Sequence, residues 1–260
     1  MPLSTSLVGL PLLLALAGTL ATGSPAVAAE LNLLIGGSLA GPMQDLVRQF
    51  EQATGHTVWL RFGTTPQLIT EATGAEPFDA GIMPADVLRD PAARAAFAPG
   101  PAIPIARVGL GVAVRAGAPR PDISSVAALR QALLAARGVA TIPASAGGTL
   151  TLRAFAKLGI DQITQPGLRA EPSPARLIQA VADGEAELAV FLLNVLVGSG
   201  LDVVGPFPPE IQEEVPFVAA FAAAPPQADK RRVEAARAFI AFVQGPAGIA
   251  ALQARGMRPG

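Results

Sequence analysis

From Leu31 onward, short apolar runs alternate with singly striped helices, and this alternation restricts the possible folds more than any other feature of the chain. Leu31-Asn32-Leu33-Leu34-Ile35 reads as a buried strand that ends in Gly36-Gly37. Pro42 then opens a helix in which Met43, Leu46, Val47 and Phe50 recur at i, i+3, i+4 and i+7, one apolar face. Thr54-Gly55 closes that helix, and the alternation from His56 to Phe62 predicts a second strand. Thr65-Pro66 starts the next helix, with Thr65 as its N-cap and Pro66 at the first helical position. Residues 78–83 form a third strand, followed by helical turns to Phe97. The order β-α-β-α-β calls for a parallel sheet with right-handed crossovers.

A second unit repeats the logic. Val108 to Val114 is a strand, and Ser124 or Ser125 caps a helix that ends near Gly138. Val139 to Ile142 is a strand, and Gly147-Gly148-Thr149 leads into a helix ending at Leu158-Gly159. Ser173-Pro174 begins a helix that stops at Asp183-Gly184. Leu188 to Leu192 carries no charge and is expected to be buried on both faces. Residues 217–223 add one more strand, and Val233, Ala236, Ile240 and Val243 stripe a last helix. The expected fold class is α/β, with two lobes, each a mostly parallel sheet flanked by helices, and a two-stranded hinge. Lobe I takes residues 30–105 and 208–260, lobe II takes 106–207, and the hinge lies near 104–108 and 206–217.

Residues 1–29 contain no charged side chain; an apolar stretch from Leu7 to Leu20 is followed by Ala26-Val27-Ala28-Ala29. A short apolar run with a small-residue A-x-A site reads as a signal peptide, cleaved after Ala28 or Ala29. No later run reaches the ~18 apolar residues of a membrane span. The chain has no cysteine and so no thiol for a lipid. A periplasmic location is expected.

The chemistry open to the chain is narrow. With no cysteine and a single histidine, His56, thiolate metal sites, thiol nucleophiles and multi-histidine sites are excluded. A net charge of -1 argues against nucleic acid as a partner. There is no G-x-x-x-x-G-K-[ST] loop, and Gly109-Leu110-Gly111 lacks the third glycine of a dinucleotide fingerprint. Gly36-Gly37-Ser38-Leu39-Ala40 starts like a nucleophile elbow but closes on alanine. A secreted serine hydrolase, the alternative from a different class, would need Ser38 beside His56, an exposed histidine at a strand start. No enzyme activity, cofactor or metal is expected.

The informative pattern lies where strands pass into helices. Ser38, Thr64, Thr65, Ser145, Gly147, Gly148, Thr149 and Ser173 all fall at such junctions. In an open parallel sheet these junctions sit at the carboxyl ends of the strands, where ligands bind. Helix N-termini there offer free N–H groups and a partial positive charge, so hydroxyls and amides can hold an anion without a cationic side chain. Arg107, Arg153 and Arg176 are the candidates should the anion be an organic carboxylate.

The run from Gly36 to Ala40, then Met43-Gln44-Asp45-Leu46, Phe50, Thr54-Gly55 and Phe62-Gly63-Thr64-Thr65-x-x-Leu68 resembles the first lobe of the periplasmic molybdate-binding proteins of ABC importers. The likeness continues through residues 183–188, 203–208, 235–242 and 256–259. It implies a type II periplasmic binding protein, a monomer that holds a small anion between two lobes and delivers it to an ABC permease. Molybdate or tungstate is the family's default ligand, and an organic carboxylate is the alternative. By resemblance, Ser38 and Thr65 supply hydroxyl donors and Gly148 a backbone amide. Two family donors are lost: an N–H falls on Pro174, which has none, and a tyrosine hydroxyl falls near Leu192.

Overall fold

A computed structural model describes residues 28–160, 167–223 and 229–260. The expected leader, apart from its last two residues, lies outside the described residues. Lobe I opens with β1 (Glu30–Gly36), a 3-10 turn at Gly37–Leu39, α1 (Ala40–Thr54), β2 (Thr57–Gly63), α2 (Thr65–Thr73) and β3 (Ala80–Pro84). Its first helix begins two residues before Pro42, buries Met43, Leu46, Val47 and Phe50, and ends on Gly55 in the left-handed region (φ 74°). A short α3 (Pro91–Ala95) precedes β4 (Ile103–Val114). Lobe II adds α4 (Val126–Ala135), β5 (Val139–Thr141), α5 (Ala146–Lys157), β6 (Leu168–Ala170), α6 (Pro174–Ala182), β7 (Leu188–Leu192), α7 (Leu193–Leu196) and β8 (Asp202–Pro206). The chain returns through β9 (Glu214–Phe221), α8 (Lys230–Gln244), α9 (Pro246–Gln253) and β10 (Arg258–Pro259).

Strands β2, β1 and β3 are parallel, and β9 joins β3 antiparallel. In the other lobe β6, β5 and β7 are parallel. The sheets are therefore mixed, with a parallel core in each. β7 is buried throughout, as its uncharged sequence requires.

The strand β4 belongs to both sheets. Ile103 to Gly109 pair with β9, whereas Leu110 to Val114 pair with β7 and Gly111 to Val114 also pair with β8. At the change of partner, Leu110 meets no strand on the side where β9 gives way to β8. Gln212 fills this gap: the Leu110 N–H donates to Gln212 Oε1 at 2.8 Å, and Gln212 Nε2 donates to the Leu110 carbonyl at 2.8 Å. The carboxamide thus stands in for a missing peptide. Its fit over the strand requires Gly109, where a Cβ would lie 2.7 Å from Gln212 Cδ. Gln212→Ala leaves the Leu110 N–H bare in a half-buried site, and an unmade hydrogen bond there costs ~2 kcal/mol. The expected result is a melting temperature about 4–8 °C lower, checked by thermal unfolding followed by circular dichroism.

Candidate functional site: a neutral cleft where helix N-termini meet

The carboxyl ends of the parallel strands in both lobes open onto one cleft, with about 350 Å³ of unfilled space. Gly36, Gly63 and Pro84 end β1, β2 and β3 on one wall; Ile142, just past β5, and Leu192, the end of β7, lie on the other. The starts of four helices reach the same space: Gly37 and Ser38 before α1, Thr64 and Thr65 at α2, Ser145 to Gly147 at α5, and Pro174 at α6. Four helix N-termini bordering one cleft create a field that favours negative charge. No described residue lining the cleft carries a charge.

Each junction is built differently. Thr64, not Thr65, is the N-cap of α2, because Gln67 at the third helical position accepts the Thr64 N–H at 2.8 Å through Oε1. Pro66 consequently occupies the second position. The shift frees Thr65, whose Oγ1 is buried and without a hydrogen-bond partner. A hydroxyl buried without a partner costs free energy unless something fills its site. Ser145 spends its hydroxyl on the fold: it donates to the Ile142 carbonyl at 2.7 Å and accepts the Gly148 N–H at 2.9 Å.

The structure brings together Ser38, Thr64, Thr65, Ser145 and Gly147. It does not bring Gly148, Thr149 or Ser173 to the cleft wall. The Gly148 N–H is taken by Ser145, exposed Thr149 donates its hydroxyl to the Ser145 carbonyl at 3.1 Å, and Ser173 caps α6 by accepting the Arg176 N–H at 3.4 Å. Pro174 and Leu192, at the two positions where donors are lost, do line the cleft. With Pro84 from lobe I and Ile142 and Phe191 from lobe II they add apolar surface to both walls, which the reading of hydroxyl junctions overlooked. Its signal was available: each of these residues ends or closely follows a strand of a parallel sheet, or opens a helix, where a crevice is expected. None of the three candidate arginines is on the lining. Arg153 pairs with Glu213 at 2.9 Å and Arg176 lies 3.6 Å from Glu171.

A Ser38–His56 pair does not form. His56 precedes β2 and its Nδ1 accepts the Ala29 N–H at 3.1 Å, at the amino end of the sheet. Ser38 lies beyond the carboxyl end of β1, roughly 20 Å away at ~3.3 Å per residue. His56 is half-buried rather than exposed, and it ties the entry of β1.

Residues 31–258 match the family model described as "Bacterial extracellular solute-binding protein". The chain belongs to this family of solute-binding proteins. Among its curated relatives are an aconitate isomerase from Pseudomonas sp, 29% identical over 95% of both chains, and a molybdate-binding protein of Azotobacter vinelandii, 26% identical over 89% of this chain and 90% of the relative. Among solved structures, the Azotobacter vinelandii periplasmic molybdate-binding protein superposes with a TM-score of 0.71 at 19% identity, over 87% of this chain and 98% of the other. In a solute-binding protein of this fold, the cleft between the lobes is where the geometry above acquires a use.

Proposed function

We propose that the protein is the exported, periplasmic receptor of an ABC importer and captures a small organic anion through a carboxylate. The observation that carries the reading is the composition of the cleft: hydroxyls and four helix N-termini beside the hydrocarbon of Ile142, Phe191 and Leu192, and no charge among the described lining residues. Ser38, Thr65 and the amides of Ala146 and Gly147 suit the carboxylate. Phe191, Leu192 and Ile142 suit a carbon skeleton. A bare tetrahedral oxyanion asks for donors on every side and gains nothing from apolar surface. The name of the aconitate isomerase relative, which acts on a carboxylate, supports the same choice. Molybdate or tungstate is the second reading, supported by the molybdate-binding relative and by the absence of an arginine from the described lining residues.

The mechanism follows from the fold. The anion bridges donors from both lobes, the lobes close about the β4 crossing, and water leaves. Loss of water strengthens each hydrogen bond and makes cavity shape the selector. The permease then reads the closed form. The test is calorimetry and thermal shift with malate, citrate, cis- and trans-aconitate, molybdate, tungstate and sulfate. A true ligand at ~100 times its dissociation constant stabilises by about 2.7 kcal/mol. Silence from every anion overturns anion capture, and a response to molybdate alone selects the second reading. Interconversion of the aconitates by the purified protein would make it an enzyme. Because no titratable side chain among the described residues lines the cleft, affinity for a fully ionised anion is expected to stay level between about pH 6 and about pH 8, where a histidine-based site would change.

A further inference from the structure

One buried polar side chain has no part in the cleft lining. Asn194 is 2% exposed, sits on α7 between the lobe II strands β7 and β8, and reaches across to lobe I. Its Nδ2 donates to the Ser38 carbonyl at 2.8 Å. A carbonyl can only accept, so this contact fixes the amide orientation and leaves Oδ1 facing protein, buried and without a partner. A second bond ties the same element to lobe I: Arg255, near the chain end, donates to the Val197 carbonyl at 3.1 Å. The fit is tight, since a Cβ on Gly198 would lie 2.9 Å from Arg255 Nη1.

We infer that Asn194 is a positioning residue that couples lobe closure to the shape of the anion site. Holding the Ser38 carbonyl fixes the peptide plane between Ser38 and Leu39. That plane belongs to the turn at Gly37–Leu39, of which Gly37 and Ser38 line the cleft. When the lobes part, α7 leaves with β7 and β8, and the Ser38 carbonyl turns to water. The site on lobe I is therefore fully organised only when lobe II is in place. Asn194 raises the share of closed protein before any ligand arrives, and apparent affinity rises with that share. The effect on affinity rests on the anion-capture reading; the effect on closure does not.

The absence of cysteine makes the test clean. Arg48→Cys and Arg137→Cys, both exposed and one on each lobe, carry a fluorophore pair that reports the lobe-to-lobe distance. Asn194→Leu removes the donor and the partnerless acceptor at similar volume. Asn194→Ser is the second variant, too short to reach the carbonyl, should the first fail to fold. The expected result is a shift of the ligand-free protein toward longer distances. Dissociation of whichever probe binds the parent protein, trans-aconitate or molybdate, should be about tenfold faster. The melting temperature of the variants should move little, which separates positioning from loss of structure. Unchanged distances overturn the inference. If probes bind the parent and the variants equally, the inference fails while anion capture stands. If no probe binds the parent, anion capture fails and the distance measurement alone decides on Asn194.

Discussion

Removing two of the lobe I hydroxyls, Ser38→Ala with Thr65→Ala, is expected to weaken anion capture about a thousandfold. Each hydrogen bond to a charged acceptor contributes about 1.5–3 kcal/mol, so two are worth ~3–6 kcal/mol, and a factor of a thousand is ~4 kcal/mol. The fold should tolerate the change. Thr65 Oγ1 has no partner to lose, so its removal leaves nothing unsatisfied behind. The helix start depends instead on Thr64 and Gln67. Titration calorimetry on the single and double variants, with melting temperatures as control, checks both halves of the statement. A double variant that binds as the parent does would place the anion elsewhere.

The second large effect is on stability. Gly148→Ala should cost about 4 kcal/mol and depress the melting temperature by roughly 10 °C. A Cβ at this position would lie 1.9 Å from the Ile142 carbonyl oxygen and 2.7 Å from Pro143 Cα. The loop cannot retreat cheaply, because Ser145 staples it by bonding Ile142 on one side and Gly148 on the other. Retreat therefore breaks the cap as well as the contact, and a cap alone is worth ~1 kcal/mol. Ile142 and Ser145 also line the cleft, so binding should fall with stability. Urea unfolding of the variant measures the first quantity and calorimetry the second. The glycine is required by this close approach, a different reason from the amide donation that the resemblance implies.

The contrast shows what the sequence could and could not convey. Local periodicity placed β1, α1, β7 and α8 within a residue or three, because burial of one face is written into neighbouring positions. The cap of α2 was legible but misread by one residue: Thr64-x-x-Gln67 is a capping box, and Gln67 decides between two adjacent threonines. The strand β4 begins five residues before the expected Val108, and Pro104 hides it. That proline is tolerated beside an irregularity in the pairing with β9, where its missing N–H is not needed. β8, β10 and α7 are short and take their form from distant partners, which no local pattern announces. The same holds for Asn194, whose partner is a backbone carbonyl 156 positions away.

The place of β9 between β3 and β4 bears on how the chain reaches its native state. A chain of which only the first two hundred residues have emerged from the export channel has all of lobe I's larger strands except β9. Until residues 214–221 emerge, β3 and β4 expose unpaired edges that any extended segment can occupy. Closing that gap joins segments more than a hundred residues apart, a topology that folds slowly. Lobe I should therefore gain protease resistance only after the C-terminal fifth of the chain has emerged, and a truncation before β9 should yield an aggregating fragment rather than a half-sized protein.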